Sequence, residues 1–101
     1  MKISEIINLL NKHKHVIILT PNYLEQKLLY DKFKLYIKDA TIIDINTIKI
    51  NNSYITFIIP DNFNSITYST SFFIIEFPNQ ISCHLLNKIM YDDVMLVQEI
   101  F

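Results

Sequence analysis

Two continuous apolar runs constrain this chain more than any other feature. Residues 16–19 read VIIL and residues 72–75 read FFII. A strand with one wet face alternates apolar and polar residues. A strand apolar at every position has to be covered on both faces, as in a parallel sheet held between helices. Glu76 follows the second run directly, so a carboxylate closes a strand that is otherwise wholly apolar.

Helical spacing surrounds these runs. Ile3, Ile6, Ile7 and Leu10 place one apolar face on a helix from residue 3 to about residue 12, with Ser4 as a candidate cap. After KHKH and the first buried run, Thr20 and Pro21 open a helix that extends to about residue 38. Threonine caps free amides, and proline suits a first helical turn. At about 100° per residue, Tyr23, Leu29, Tyr30, Phe33, Tyr36 and Ile37 form one broad apolar face of this helix. Leu24, Leu28 and Leu35 form a second, narrow stripe, with Lys27, Asp31, Lys34 and Lys38 between the two. The stripe has two readings: packing against the first helix, or a lysine-edged ridge for a protein partner.

Residues 41–50 read as one strand. The segment 51–53, Asn-Asn-Ser, turns the chain, and residues 54–59 return as the second arm of a hairpin. Residues 61–70 are polar and loop-like. Residues 71–76 form the second buried strand. Pro78 starts a helix to about residue 91 with Ile81, Leu85, Ile89 and Met90 facing inward, and residues 94–101 close the chain as a strand. The predicted order is α-β-α-β-β-β-α-β. It describes an α/β fold, a three-layer sandwich with a mainly parallel central sheet of about five strands, in a single domain over residues 1–101.

The composition narrows the function. The chain has 101 residues, half of them hydrophobic, which suits one small core. It contains no apolar run near the ~18 residues of a membrane span, so no membrane association is expected. Residues 1–15 carry polar breaks and no small-residue cleavage site, so no signal peptide is expected either. Cys83 is the only cysteine; one thiol suits a reducing, cytoplasmic setting and reads as a buried structural residue. Residues 1–38 carry a charge of +4 and residues 39–101 a charge of −5. That split reads either as two solvated faces or as a basic docking face built from Lys12, Lys14, Lys27, Lys34 and Lys38, which would bind DNA weakly and salt-sensitively. There is no glycine to wrap backbone amides around a phosphate, and no arginine to supply a bidentate fork. Asparagine is abundant and can take the left-handed positions that glycine would fill. The richness in Ile, Asn, Lys and Tyr fits an AT-rich genome, such as that of a phage, a mobile element or an AT-rich bacterium.

The motif order is similar to that of a known family. HVIILTPNYLEQKLLYDKF is followed by IKINNSYITFII and then FFIIEFPNQIS. Residues 15 to about 101 resemble the ATPase core of phage terminase large subunits, the motors that package DNA. In that family a strand runs into a "TP" or "SP" turn and a helix. A hairpin of the type "NGSxIxF" follows, then an apolar Walker B strand ending in two acids, "AFI" and a helix. Here the segment 51–55, Asn-Asn-Ser-Tyr-Ile, stands at the hairpin position, Glu76 at the first acid, and Ile81 near the "FI". The resemblance implies a P-loop NTPase-like shell.

The departures point away from hydrolysis. The second acid position holds Phe77, which neither accepts a proton nor binds a metal. No phosphate loop G-x-x-x-x-G-K-[ST] is present; the nearest frame, residues 21–28, keeps only Lys27 of that pattern. In the preferred frame the loop would precede residue 1. The resemblance therefore implies an incomplete ATPase with a degenerate Walker B position at Glu76, because phosphoryl transfer depends on positioned charge. Glu76 also reads as a carboxylate that accepts backbone hydrogen bonds and favours the N-terminus of the following helix.

Other catalytic patterns are weaker. Pro60-Asp61 with Glu76 outlines a magnesium nuclease, but Pro78 stands where its lysine should be. Residues 90–94, MYDDV, outline paired polymerase aspartates and read as a turn. His13, His15 and His84 do not form a metal-ligand pattern, and no cofactor or catalytic residue is predicted. The function expected is a non-catalytic protein-binding module, an accessory or inhibitor of a DNA-processing machine. The alternatives are a DNA-binding module using the basic first third and a magnesium-dependent nuclease.

Overall fold

A computed structural model describes residues 1–37, 41–44, 46–63, 72–89 and 93–101, with residues 41–44 described as backbone. Helix α1 spans Ile3–Leu9, strand β1 His15–Leu19 and helix α2 Tyr23–Tyr36. Strands β2 (Thr41–Asp44), β3 (Thr47–Ile50) and β4 (Ser53–Ile58) follow, then β5 (Phe72–Glu76), helix α3 (Cys83–Ile89) and β6 (Val94–Val97). The sheet has the order β2-β3-β4-β1-β5-β6. The pairs β4–β1, β1–β5 and β5–β6 are parallel, whereas β2–β3 and β3–β4 are antiparallel. The fold is α/β with a mainly parallel central sheet.

The apolar runs lie where their composition requires. Val16, Ile17, Ile18 and Leu19 are fully buried in the central strand. Parallel register places Ile18 beside Phe57 and Ile74, and Leu19 beside Ile58 and Ile75. The first row belongs to a core completed by Ile3, Ile6 and Leu10 around α1 and by Leu29, Tyr30 and Phe33 of α2. The second belongs to a separate core completed by Ile81 and Ile89 around α3. Two cores on opposite faces make three layers.

Several boundaries differ from the sequence expectation, each for a local reason. The single strand predicted over residues 41–50 is two strands, because the chain reverses at Asn46, a turn-favouring residue. Among the described residues the sheet therefore has six strands, one more than the approximate five expected. The turn at Asn51 is as predicted: Asn51 takes φ 56°, the left-handed conformation. Helix α1 starts before Ser4, since the Glu5 carboxylate accepts the Lys2 N–H at 3.2 Å and closes the first turn. Thr20 does not cap α2. It is buried, its N–H and hydroxyl both donate to the Ile58 carbonyl (3.0 and 3.5 Å), and Asn22 caps instead by accepting the Glu25 N–H at 3.0 Å. The helix predicted from Pro78 begins only at Cys83. Residues 78–80 form a 3-10 turn, Ile81 is extended and buried, and the Ser82 hydroxyl accepts the Leu85 N–H at 3.2 Å. Cys83 is exposed, not buried, because it occupies that first, solvent-facing turn. The predicted strand over 94–101 ends at Val97. Lys38, Met90, Ser71, most of the predicted 61–70 loop and the first residues of MYDDV lie outside the described residues. Among the described residues no helix is long and apolar enough to cross a membrane.

Candidate functional site

Glu76 ends the strand whose neighbour is β1. Helix α2 leaves β1 toward one face and α3 follows β5 on the other, so the carboxyl ends of β1 and β5 flank the switch point of the sheet. Open α/β sheets bind ligands in the crevice outside such a point. The residues there are Thr20, Pro21 and Asn22 after β1, and Glu76, Phe77 and Pro78 after β5.

The Glu76 side chain is only 3% exposed. Its Oε2 accepts the backbone N–H of Ile100 at 2.9 Å. Glu76 thus accepts a backbone hydrogen bond as expected, but the donor lies 24 residues downstream and not in the helix that follows. The physical reason is parity. Residues 72, 74 and 76 of β5 face the α1 and α2 layer, where Ile100 is also buried. Ile100 is held from its other side too, by Lys32 Nζ donating to its carbonyl at 3.4 Å. The Phe101 N–H donates to Met1 O at 2.9 Å and the Ile3 N–H to Phe101 O at 2.8 Å, which laces segment 98–101 to the start of α1. Burial pushes the Glu76 carboxyl above its ordinary value of 4.5, and the Ile100 N–H pulls against that rise.

Phe77 follows with φ 51°, a left-handed conformation that is costly for a bulky residue. Its N–H donates to Val97 O at 3.0 Å. The position that would carry a second acid therefore holds a half-buried ring on a strained backbone. Asp61 stands exposed after β4, and β1 separates that strand from β5, so Asp61 and Glu76 end strands that are not neighbours. Among the described residues no group of three or more His, Cys, Asp or Glu could hold a metal.

The histidines do not converge. The His13 ring lies 4.5 Å from the Phe72 ring. His15 Nε2 is 2.8 Å from Thr56 Oγ1, and burial lowers its pKa from 6.5. His84 lies on α3, after β5. The predicted basic residues are also dispersed. Lys12 and Lys14 precede β1, whereas Lys27 is near the start of α2, past the far end of that strand. Lys27 pairs with Asp31 at 3.9 Å, and Lys34 sits 5.3 Å from the centre of the Tyr30 ring.

The leucine stripe is not covered by α1. Leu24, Leu28 and Leu35 are 64%, 48% and 83% exposed. The broad face predicted on α2 is narrower than its spacing suggested: Leu29, Tyr30 and Phe33 are buried, while Tyr23 and Tyr36 are exposed at its ends. The packing of α2 also uses a residue that sequence reasoning missed. Gln26 is buried and its Nε2 donates to Phe57 O at 2.7 Å, fastening α2 to β4. The signal was present in the spacing, because residue 26 shares a helical stripe with 29, 30 and 33.

No protein-family model matches this chain, and neither a curated protein nor a solved structure matches it.

Proposed function

We propose that this chain is a non-catalytic protein-binding module that presents the leucine stripe of α2 to a protein partner. The observation that carries this reading is the exposure of Leu24, Leu28 and Leu35 on one line of a helix whose opposite side anchors the core. Isolated exposed leucines are ordinary on protein surfaces; three on one line of a helix form a patch. Lys27 and Lys34 give that patch a polar rim. Glu76 supports the same reading from the other side. A buried carboxylate that accepts a backbone N–H is occupied as scaffold, and Phe77 supplies no second acid. The motif order resembling a terminase ATPase suggests the kind of partner, a component of a DNA-processing machine.

The test compares wild type with a Leu24→Lys, Leu28→Lys double variant. Wild-type protein should recover a partner from its native cell, the purified pair should reassociate, and the double variant should bind at least about tenfold more weakly while melting at an unchanged temperature. Equal binding by the variant would remove the stripe from the function. ATP turnover by the purified chain, lost on Glu76→Gln, would replace the non-catalytic reading with an enzymatic one.

A further inference from the structure

The two edges of the sheet are not equivalent. Strand β2, at one edge, carries a register irregularity between Ile42 and Asp44. Bulges and charges on edge strands discourage pairing with other chains. Strand β6, at the other edge, reads VMLV, with no charge and no proline, and pairs with β5 in unbroken register.

Among the described residues, no strand pairs with the outer side of β6. The Phe73 N–H donates to Asp93 O at 2.8 Å and the Phe77 N–H to Val97 O at 3.0 Å. Residues of that parity turn their backbone groups toward β5, so those of Val94 and Leu96 point away from the sheet. The side chains are uncovered as well. Met95 and Leu96 are 37% and 48% exposed, and as neighbours on a strand they face opposite sides of the sheet. Strands in parallel sheets are ordinarily covered on both faces.

The charge around this edge states what would fit it. Asp93 and Glu99 flank β6 in sequence, both are exposed, and residues 93–101 contain no lysine; the Met1 ammonium donates to Glu99 O at 2.8 Å, so Asp93 marks the more strongly negative end. A second copy of β6 laid alongside would bring these acids against their own kind. We infer that the β6 edge accepts an extended partner segment, apolar over about four residues and flanked by lysine or arginine, which adds a strand to the sheet. Backbone hydrogen bonds would supply the affinity and the flanking charge pairs the selectivity. The inference is independent of the α2 stripe.

The experiment titrates isotope-labelled protein with two synthetic peptides, KKVIVIVKK and EEVIVIVEE, and follows amide shifts and hydrogen exchange. The lysine-flanked peptide should shift and protect the Val94 and Leu96 amides. It should bind about fivefold or more tightly than the glutamate-flanked one at low salt, and lose that preference in an Asp93→Asn, Glu99→Gln variant. Leu96→Pro removes an outward N–H without touching the bonds to β5 and should abolish binding. Leu96→Lys, which keeps the backbone intact, should weaken binding of the lysine-flanked peptide if the proline variant fails to fold. The Leu24→Lys, Leu28→Lys variant should respond like wild type. Absence of shifts in β6, or equal affinity for both peptides, would overturn the inference. A homodimer that dissociates on Leu96→Lys would overturn it too, by making a second copy the occupant.

Discussion

The carboxylate of Glu76 accepts the N–H of Ile100 at 2.9 Å, joining the end of β5 to a residue buried beneath α1 and α2. The same residue receives Lys32 at its carbonyl. A side chain placed where an open α/β sheet would meet a ligand is thus bonded to the protein's own backbone.

Replacing Glu76 separates its hydrogen bond from its charge. Glu76→Ala leaves the Ile100 N–H buried without an acceptor and should cost about 1–3 kcal/mol. Glu76→Gln keeps an acceptor oxygen and removes a buried charge, so its stability should stay within about 1 kcal/mol of wild type at pH 7. Chemical denaturation of the three proteins checks both outcomes. A Gln variant as unstable as the Ala variant would show that the charge itself is needed.

Glu76 and His15 should impose opposite pH dependences. The folded Glu76 pKa lies above 4.5, so the folded state holds the proton more tightly than the unfolded chain. Its contribution to stability is greatest below 4.5 and declines as pH rises through the raised value. His15 is shifted the other way, below 6.5. Its contribution is fully present above pH 6.5 and is lost as pH falls from there through the lowered value. Denaturation midpoints across pH 4 to 8 should therefore flatten at the acid end in Glu76→Gln and near and just below 6.5 in His15→Gln.

Leu28 and Leu29 are adjacent in sequence and opposite in environment. Leu29 is 2% exposed, so Leu29→Ala should cost about 2–5 kcal/mol through lost burial and a cavity. Leu28→Ala should stay within about 0.5 kcal/mol. A large loss on Leu28→Ala would place that side chain in a core.

Gln26→Ala should destabilise the protein by about 1–3 kcal/mol, because it removes the donor to the buried Phe57 carbonyl and a buried side chain. Hydrogen exchange should quicken where α2 meets β4. A neutral outcome would mean that water replaces the amide.

Asn51 tests the turn. Asn51→Gly should be neutral within a few tenths of a kcal/mol, and Asn51→Val should cost about 1–2 kcal/mol, because a branched side chain resists positive φ. Equal melting temperatures would indicate a turn that relaxes to another conformation.

What could be read without coordinates was what depends on near neighbours. VIIL and FFII had to be covered on both faces because they have no polar side to turn to water. The alternation of such runs with helical spacing identified an α/β sheet, and Asn-Asn-Ser placed a turn where Asn51 takes the left-handed conformation. The break at Asn46 was hidden by an isoleucine-rich stretch that reads equally well as one strand or two.

The tertiary structure decided which partner each polar or apolar group has. Nothing near Glu76 in the chain announces Ile100; the two meet because strand parity turns the carboxylate toward the layer into which segment 98–101 folds. Likewise Leu24, Leu28 and Leu35 have the spacing of a packed stripe, yet α1 spends its apolar face on the core beside Leu29 and Phe33 and leaves none to cover them. Local pattern determines which segments must leave water, since hydrophobic burial follows from composition. The pairing of one group with another across the fold is a property of three-dimensional packing, and only the packed chain specifies it.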